Sequence, residues 1–233
     1  MRLFVGTSAF SEPKWKGSFY PETLPQKAML KYYAERFNAV EINSSYYRMP
    51  SAASLTPWLA DVSKNFQFSL KAPRSITQFK RLKDAEEVTQ TFLRETAVLK
   101  TQRGPLLFGL HPNHKKDASR LQSFLHTLPK RIRVAFEFRH PSWFDDETFD
   151  CLRSRGCALC VNDEDESPWT DLVPTADWGY VRLRREVYTN KNLNAWIEKL
   201  RAQKWRDAYV FFKHEDTGTG PKLAARFLKL AGS

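Results

Sequence analysis

Val134-Ala135-Phe136-Glu137-Phe138-Arg139 alternates, residue by residue, between bulky apolar side chains and small or ionisable ones. Side chains on a β-strand point to opposite faces in turn. A strand here turns Val134, Phe136 and Phe138 to one side and Ala135, Glu137 and Arg139 to the other. Working outward, Val40-Glu41-Ile42-Asn43 repeats the pattern, with Glu41 and Asn43 opposite the apolar pair. Phe66-Gln67-Phe68-Ser69-Leu70-Lys71 sets Gln67, Ser69 and Lys71 apart from its apolar face. In Tyr180-Val181-Arg182-Leu183-Arg184, Arg182 falls inside or at the rim.

Short period-two runs of this kind recur along the whole chain. They predict strands at Arg2–Gly6, Ala39–Asn43, Gln67–Lys71, Leu106–Leu110, Ile132–Phe138, Ala158–Asn162, Tyr180–Leu183 and Ala208–Lys213. Helical spacing follows most of them. Val88, Phe92 and Leu99 mark one helix, with Gly104 as its stop, and Leu121, Phe124, Leu125 and Leu128 mark a second, ended by Pro129. Ser142 is the expected cap of a third, which carries Phe144, Phe149 and Leu152 and ends at Gly156. Leu193, Trp196, Ile197 and Leu200 mark a fourth, and Leu223, Phe227 and Leu230 the last. Eight strands alternating with helices pair in parallel through right-handed crossovers. The expected fold is α/β, a TIM-type (β/α)8 barrel in a single domain spanning residues 1–233. An open doubly wound sheet is the competitor, but no Gly-x-Gly-x-x-Gly follows any predicted strand.

Bulk properties narrow the class. The chain has 233 residues, of which 42% are apolar and 14% aromatic, so it can bury a large core and is not disordered. No apolar run reaches the roughly 18 residues of a membrane-spanning helix. Met1-Arg2-Leu3-Phe4-Val5-Gly6 turns polar too soon for a secretory signal. Cys151, Cys157 and Cys160 are odd in number and close together, which reads as reduced thiols in a cytoplasmic protein. Lys and Arg total 37 against 26 for Asp and Glu, a formal charge of +11. That excess suits a polyanionic partner, an anionic small molecule or nucleic acid, and equally suits a surface that only keeps the chain soluble.

Several strings carry a resemblance. Gly6-Thr7-Ser8, Trp15-Lys16-Gly17-Ser18-Phe19-Tyr20-Pro21, Val40 through Arg48, Leu70-Lys71-Ala72-Pro73-Arg74, Gly104-Pro105-Leu106-Leu107-Phe108 and Glu137-Phe138-Arg139-His140-Pro141-Ser142-Trp143-Phe144 resemble the YecE-like family, in the same order and across essentially the whole chain. The resemblance implies a TIM-barrel fold of unknown function and no transferable reaction. The chain departs from the family pattern at Gly109-Leu110-His111-Pro112, at Arg184, and from Phe212 to Lys222.

The inward charges gather near the C-terminal ends of their strands, where barrel enzymes place their catalytic groups. A buried charge must be paired, hydrogen-bonded or used. One outcome is a salt-bridge layer that plugs the barrel. The other is a site. In a site, Glu41 and Glu137 are the expected acid/base pair, provided their surroundings separate their pKa values. His140 and Asp163 join them as catalytic candidates. A divalent metal is an alternative cofactor, held in a mixed shell that adds His214. Asn43, Tyr46, Tyr47, Arg48, Lys71, Arg139, Arg182, Arg184 and Lys213 are the expected substrate-binding set, in which the cations hold an anion and the tyrosines a planar or sugar group. Thr217-Gly218-Thr219-Gly220, ahead of the last helix, is a further anion-binding expectation. The leading reading is an enzyme, a phosphodiesterase-like hydrolase in type, acting at the C-terminal mouth on a phosphate-containing substrate such as nucleic acid. The alternatives are a non-catalytic ligand- or nucleic-acid-binding protein and a metal-dependent sugar isomerase or lyase.

Overall fold

Each predicted strand forms in the computed structural model, which describes residues 1–164, 167–213 and 218–232. The strands are β1 (Arg2–Thr7), β2 (Ala39–Ile42), β3 (Gln67–Lys71), β4 (Arg103–Gly109), β5 (Val134–Glu137), β6 (Ala158–Asp163), β7 (Trp178–Leu183) and β8 (Asp207–Phe212). They make one parallel sheet in the order β1-β8-β7-β6-β5-β4-β3-β2, the strand order of a (β/α)8 barrel. Outward side chains such as Val40, Phe68, Phe136, Val161 and Val181 pack into one core with the surrounding helices. Inward ones, among them Phe4, Ala39, Leu107, Ala135, Cys160, Tyr180 and Tyr209, form a second core inside the barrel. The face assigned to each residue by strand alternation is therefore the face it occupies on β2, β3, β5 and β7.

Closure between β1 and β2 does not use a backbone ladder among the described residues. Side chains bridge the seam instead. Asn38 accepts the Val5 N–H at 2.8 Å and donates to the Leu3 carbonyl at 2.7 Å. The Tyr33 hydroxyl accepts the Thr7 N–H at 2.7 Å and donates to the Ala39 carbonyl at 3.1 Å. Asn43 donates to the Ser8 carbonyl at 2.8 Å. Gly6 lets the strands come this close: a Cβ there would lie 1.9 Å from the Ala39 carbonyl oxygen. Buried backbone groups that lack ladder partners must find others, and these three side chains supply them.

Helix termini follow capping physics, with some corrections to the expected positions. The helix Asp146–Ser154 is capped by Asp145, which accepts the Thr148 N–H, while Asp146 and Glu147 favour its positive end. Ser142 lies instead in the short 3-10 turn Pro141–Trp143. Gly156 leaves the helix end at φ 60°, as expected. Gly104 stops no helix; it sits inside β4, which begins three residues before the expected start. A 3-10 segment, Ala97–Gln102, intervenes. The helix Asn190–Arg201 has a capping box between Thr189 and Asn192 and buries Leu193, Trp196, Ile197 and Leu200 against the barrel. The last helix, Thr219–Ala231, begins within the expected Gly/Thr loop, with Gly218 before it at φ 98°. Thr217 lies outside the described residues.

Candidate active site

Barrel geometry lifts the inward end residues of β2, β5, β6 and β7 to one level. Glu41 lies beside Ser69, Gly109 beside Glu137, and Asn162 beside Arg182 across their parallel ladders. At the centre, the Arg182 guanidinium bonds Glu41 Oε1 through Nη2 at 2.9 Å and Glu137 Oε1 through Nη1 at 3.0 Å. All three side chains are buried. Tyr180, two residues before Arg182 and so on the same face, donates its hydroxyl to Glu41 Oε2 at 2.7 Å. Asn43 donates to Glu41 Oε1 at 3.1 Å. Asn162 donates to Glu137 Oε1 at 2.7 Å, and Arg139 bonds the same oxygen at 3.1 Å.

Three of the four carboxylate oxygens thus accept at least one hydrogen bond. The fourth, Glu137 Oε2, is buried and accepts no hydrogen bond. Lys71 Nζ stands 4.0 Å away. Gly109 opens the space next to that oxygen, because a Cβ there would lie 2.7 Å from Glu137 Oε2 and 3.4 Å from Lys71 Cε. A larger side chain at position 109 would displace that oxygen.

Electrostatics fixes the protonation of the group. Burial pushes both carboxyls up, but nearby cations outweigh it. Arg182, Lys71 and Arg139 hold Glu137 well below the usual carboxylate range. Arg182, the Tyr180 hydrogen bond and Lys71 hold Glu41 below it. Both are ionised at neutral pH, so the expected split into one acid and one base does not occur. Lys71 is lowered by burial and by Arg182 and Arg139, against the pull of Glu137 and Glu41.

Above this lattice lies a cleft of about 280 Å³, lined by Asn43, Tyr46, Tyr47, Lys71, Arg139, Arg182 and Arg184. Seven expected substrate-binding residues therefore share one opening. Tyr46 lies against Lys71, whose Nζ is 4.9 Å from the ring centre, and meets Tyr47 edge-on at 4.9 Å. Arg184 also pairs with Glu164 at 3.3 Å.

Other expected site residues lie elsewhere. Asp163 follows the inward Asn162 and so points outward, where it accepts the Trp196 indole N–H at 2.7 Å and pairs with Arg185 at 2.6 Å. His140 caps the 3-10 turn after β5, with its Nδ1 3.2 Å from the Ser142 N–H. Both were expected to be catalytic, and each is occupied by a structural contact. Arg48 lines a separate groove with Met49 and Trp58. Lys213 follows β8, its carbonyl oxygen packed against Gly220, and is not part of the cleft lining. Among the described residues no group of three or more metal-ligating side chains occurs, and His214, expected in the mixed metal shell, lies outside them. Trp15 and Tyr20 are buried, and Trp143 stacks on Phe138 at 4.6 Å; none of the three lines the cleft.

Sequence reasoning missed Tyr180 and Asn162. Both share a strand face with charged or inward neighbours, and that parity was the available signal.

Fold and mouth together define a (β/α)8 barrel with a buried carboxylate–arginine lattice under a cationic cleft. The chain belongs to the DUF72 family, described as "Protein of unknown function DUF72", whose model matches residues 4–233. It is 26% identical over 148 residues to the UPF0759 protein YecE of Escherichia coli K12, a match covering 61% of this chain and about half the length (50%) of that relative. It is 22% identical to the UPF0759 protein YunF of Bacillus subtilis, over 91% of this chain and 78% of that one. Among solved structures, a DUF72 family protein of Thermotoga maritima aligns over 100% of both chains with a TM-score of 0.87 and 30% identity. No helix among the described residues is long and apolar enough to cross a membrane.

Proposed function

We propose that the protein is an enzyme that binds a phosphate-bearing anion at the C-terminal mouth. In this reading, Lys71, Arg139 and Arg184 hold the anion and Glu137 Oε2 takes a proton from the attacking group. One observation carries it: Glu137 Oε2 is a buried carboxylate oxygen with no donor, next to a cleft whose ionisable lining groups include four cations. The oxygen is ionised and accepts no hydrogen bond, so it can accept one from a hydroxyl or water positioned by an anionic substrate, and charge brought in by that substrate would offset the cations that hold its proton affinity down. The Arg182 lattice serves to hold Glu137 in place. Arg139 and Arg184 offer the planar forks that match phosphate oxygens, and Tyr46 and Tyr47 offer ring faces for the rest of the ligand. A cytoplasmic setting belongs to the same reading, supported by three free thiols.

The test is hydrolysis of bis-p-nitrophenyl phosphate by the wild type and by Glu137→Gln, with circular dichroism to check folding. The reading expects turnover in the wild type and a loss of about 100-fold or more in a folded variant, the usual scale for a lost general base. Equal turnover in both proteins contradicts it. Binding without turnover in the wild type would favour a non-catalytic ligand-binding protein.

A further inference from the structure

The opposite end of the barrel holds a larger cleft, of about 700 Å³, at the N-terminal ends of β1 to β5. Arg2, Lys64, Lys100, Arg103, Arg131 and Arg133 line it, and no Asp or Glu does. One carboxylate lies behind it: Asp207 is fully buried and is shared by Arg2 at 2.7 Å and Arg133 at 2.6 Å. That leaves an excess of five positive charges around one concavity. Lys64, Lys100, Arg103 and Arg131 have no ion pair among the described residues, and Arg103 reaches only the Leu93 carbonyl, at 3.1 Å.

Such crowding is unfavourable for the folded chain alone, because like charges repel more strongly beside a low-dielectric wall than in open water. Burial lowers Arg103, which marks how far this cleft already withdraws a cation from solvent. Lys100, at the rim, adopts φ 50° and ψ −123°, a backbone conformation that non-glycine residues rarely take. The N-terminal face of such barrels ordinarily serves stability. Unpaired cations gathered in a cavity of small-ligand size serve it poorly and suit a ligand instead.

We propose that this basin is a second anion site, distinct from the mouth, which takes a ligand carrying two or more adjacent phosphates. Arg103 would meet phosphate oxygens directly, Lys64, Lys100 and Arg131 would close over the remaining charge, and Arg2 and Arg133, tied to Asp207, would add to the positive field. Phosphates so grouped occur in free polyphosphates and in the backbone of single-stranded nucleic acid. The experiment separates the two sources.

Tripolyphosphate and a short thymidine oligonucleotide are titrated calorimetrically into the wild type, Lys64→Glu/Arg131→Glu and the mouth variant Arg139→Ala/Arg184→Ala. The Lys64 and Arg131 side chains make no hydrogen bond or ion pair among the described residues, so their reversal should leave the fold intact. The expected result is a tripolyphosphate binding event that weakens about tenfold or more in Lys64→Glu/Arg131→Glu, persists in the mouth variant and fades as salt rises from about 50 to 200 mM. Oligonucleotide binding lost in the same variant identifies a nucleic-acid strand as a second source of those phosphates, and its absence leaves the free anion. A wild type and a reversal variant that titrate alike, or no event in the wild type that the reversal removes, would overturn the proposal. A mouth that fails while the basin binds would count against the proposed function alone.

Discussion

The ammonium of Lys71 stands 4.0 Å from Glu137 Oε2, within ion-pair range but too far to donate a hydrogen bond to it. The two groups couple at this distance: each sets the other's proton affinity. Anion binding at the mouth should therefore weaken as pH rises through the lowered pKa of Lys71, below the ordinary lysine value, because the ammonium then loses its charge. Lys71→Arg should shift that loss to higher pH. Ligand affinity measured across alkaline pH checks it, and an unchanged profile in Lys71→Arg would remove Lys71 from the site.

Arg182 pairs with two fully buried carboxylates at once. Arg182→Met removes the cation that the two carboxylates share, and the expected loss is about 3–5 kcal/mol of stability, the usual effect of breaking a buried ion pair by removing one partner. Adding Glu41→Gln and Glu137→Gln should return part of that loss. Urea unfolding of the single and triple variants measures both steps.

Acid sensitivity follows from the same lattice. Glu41 and Glu137 have folded pKa values below their unfolded ones, so the unfolded chain binds more protons in the acid range. Their contribution is complete above the ordinary carboxylate pKa and is lost as pH falls from there through the folded values. Thermal melts should show stability dropping over that window, with a shallower drop in Glu41→Gln/Glu137→Gln.

The seam between β1 and β2 rests on side chains, so Tyr33→Phe should weaken it without changing the core volume. It orphans the Thr7 N–H and the Ala39 carbonyl, at about 1–3 kcal/mol for each buried group left unsatisfied. Hydrogen exchange should quicken at Thr7 before it does in β4 or β5. Uniform protection would show that the seam closes by other means.

Much of this was legible in the chain because alternation is a local signal. Glu41, Lys71, Glu137 and Arg182 stand out as charges on faces that a barrel turns inward. Tyr180 and Asn162 escaped because a hydroxyl and an amide do not demand a buried partner as a charge does. Asp163 misled for the converse reason: it lies one residue past Asn162, and one residue reverses the face. His140 misled because a histidine before Pro-Ser can cap a turn as readily as it can serve a reaction. The β1–β2 seam had no local signal, since the backbone groups on its β1 side lie 26 to 35 residues from the side chains that bond them. The cationic basin was invisible for the same reason, its residues being scattered over the starts of several strands.

The central claim is that the mouth binds a phosphate-bearing anion. Its most direct test is a calorimetric titration of phenyl phosphate into Lys64→Glu/Arg131→Glu, in which the basin is disabled, and into the same protein carrying Arg139→Ala/Arg184→Ala. Saturable binding in the first that weakens about tenfold or more in the second is the predicted result, the scale expected when charge-assisted phosphate contacts are lost. No binding in the first, or the same affinity in both, contradicts it.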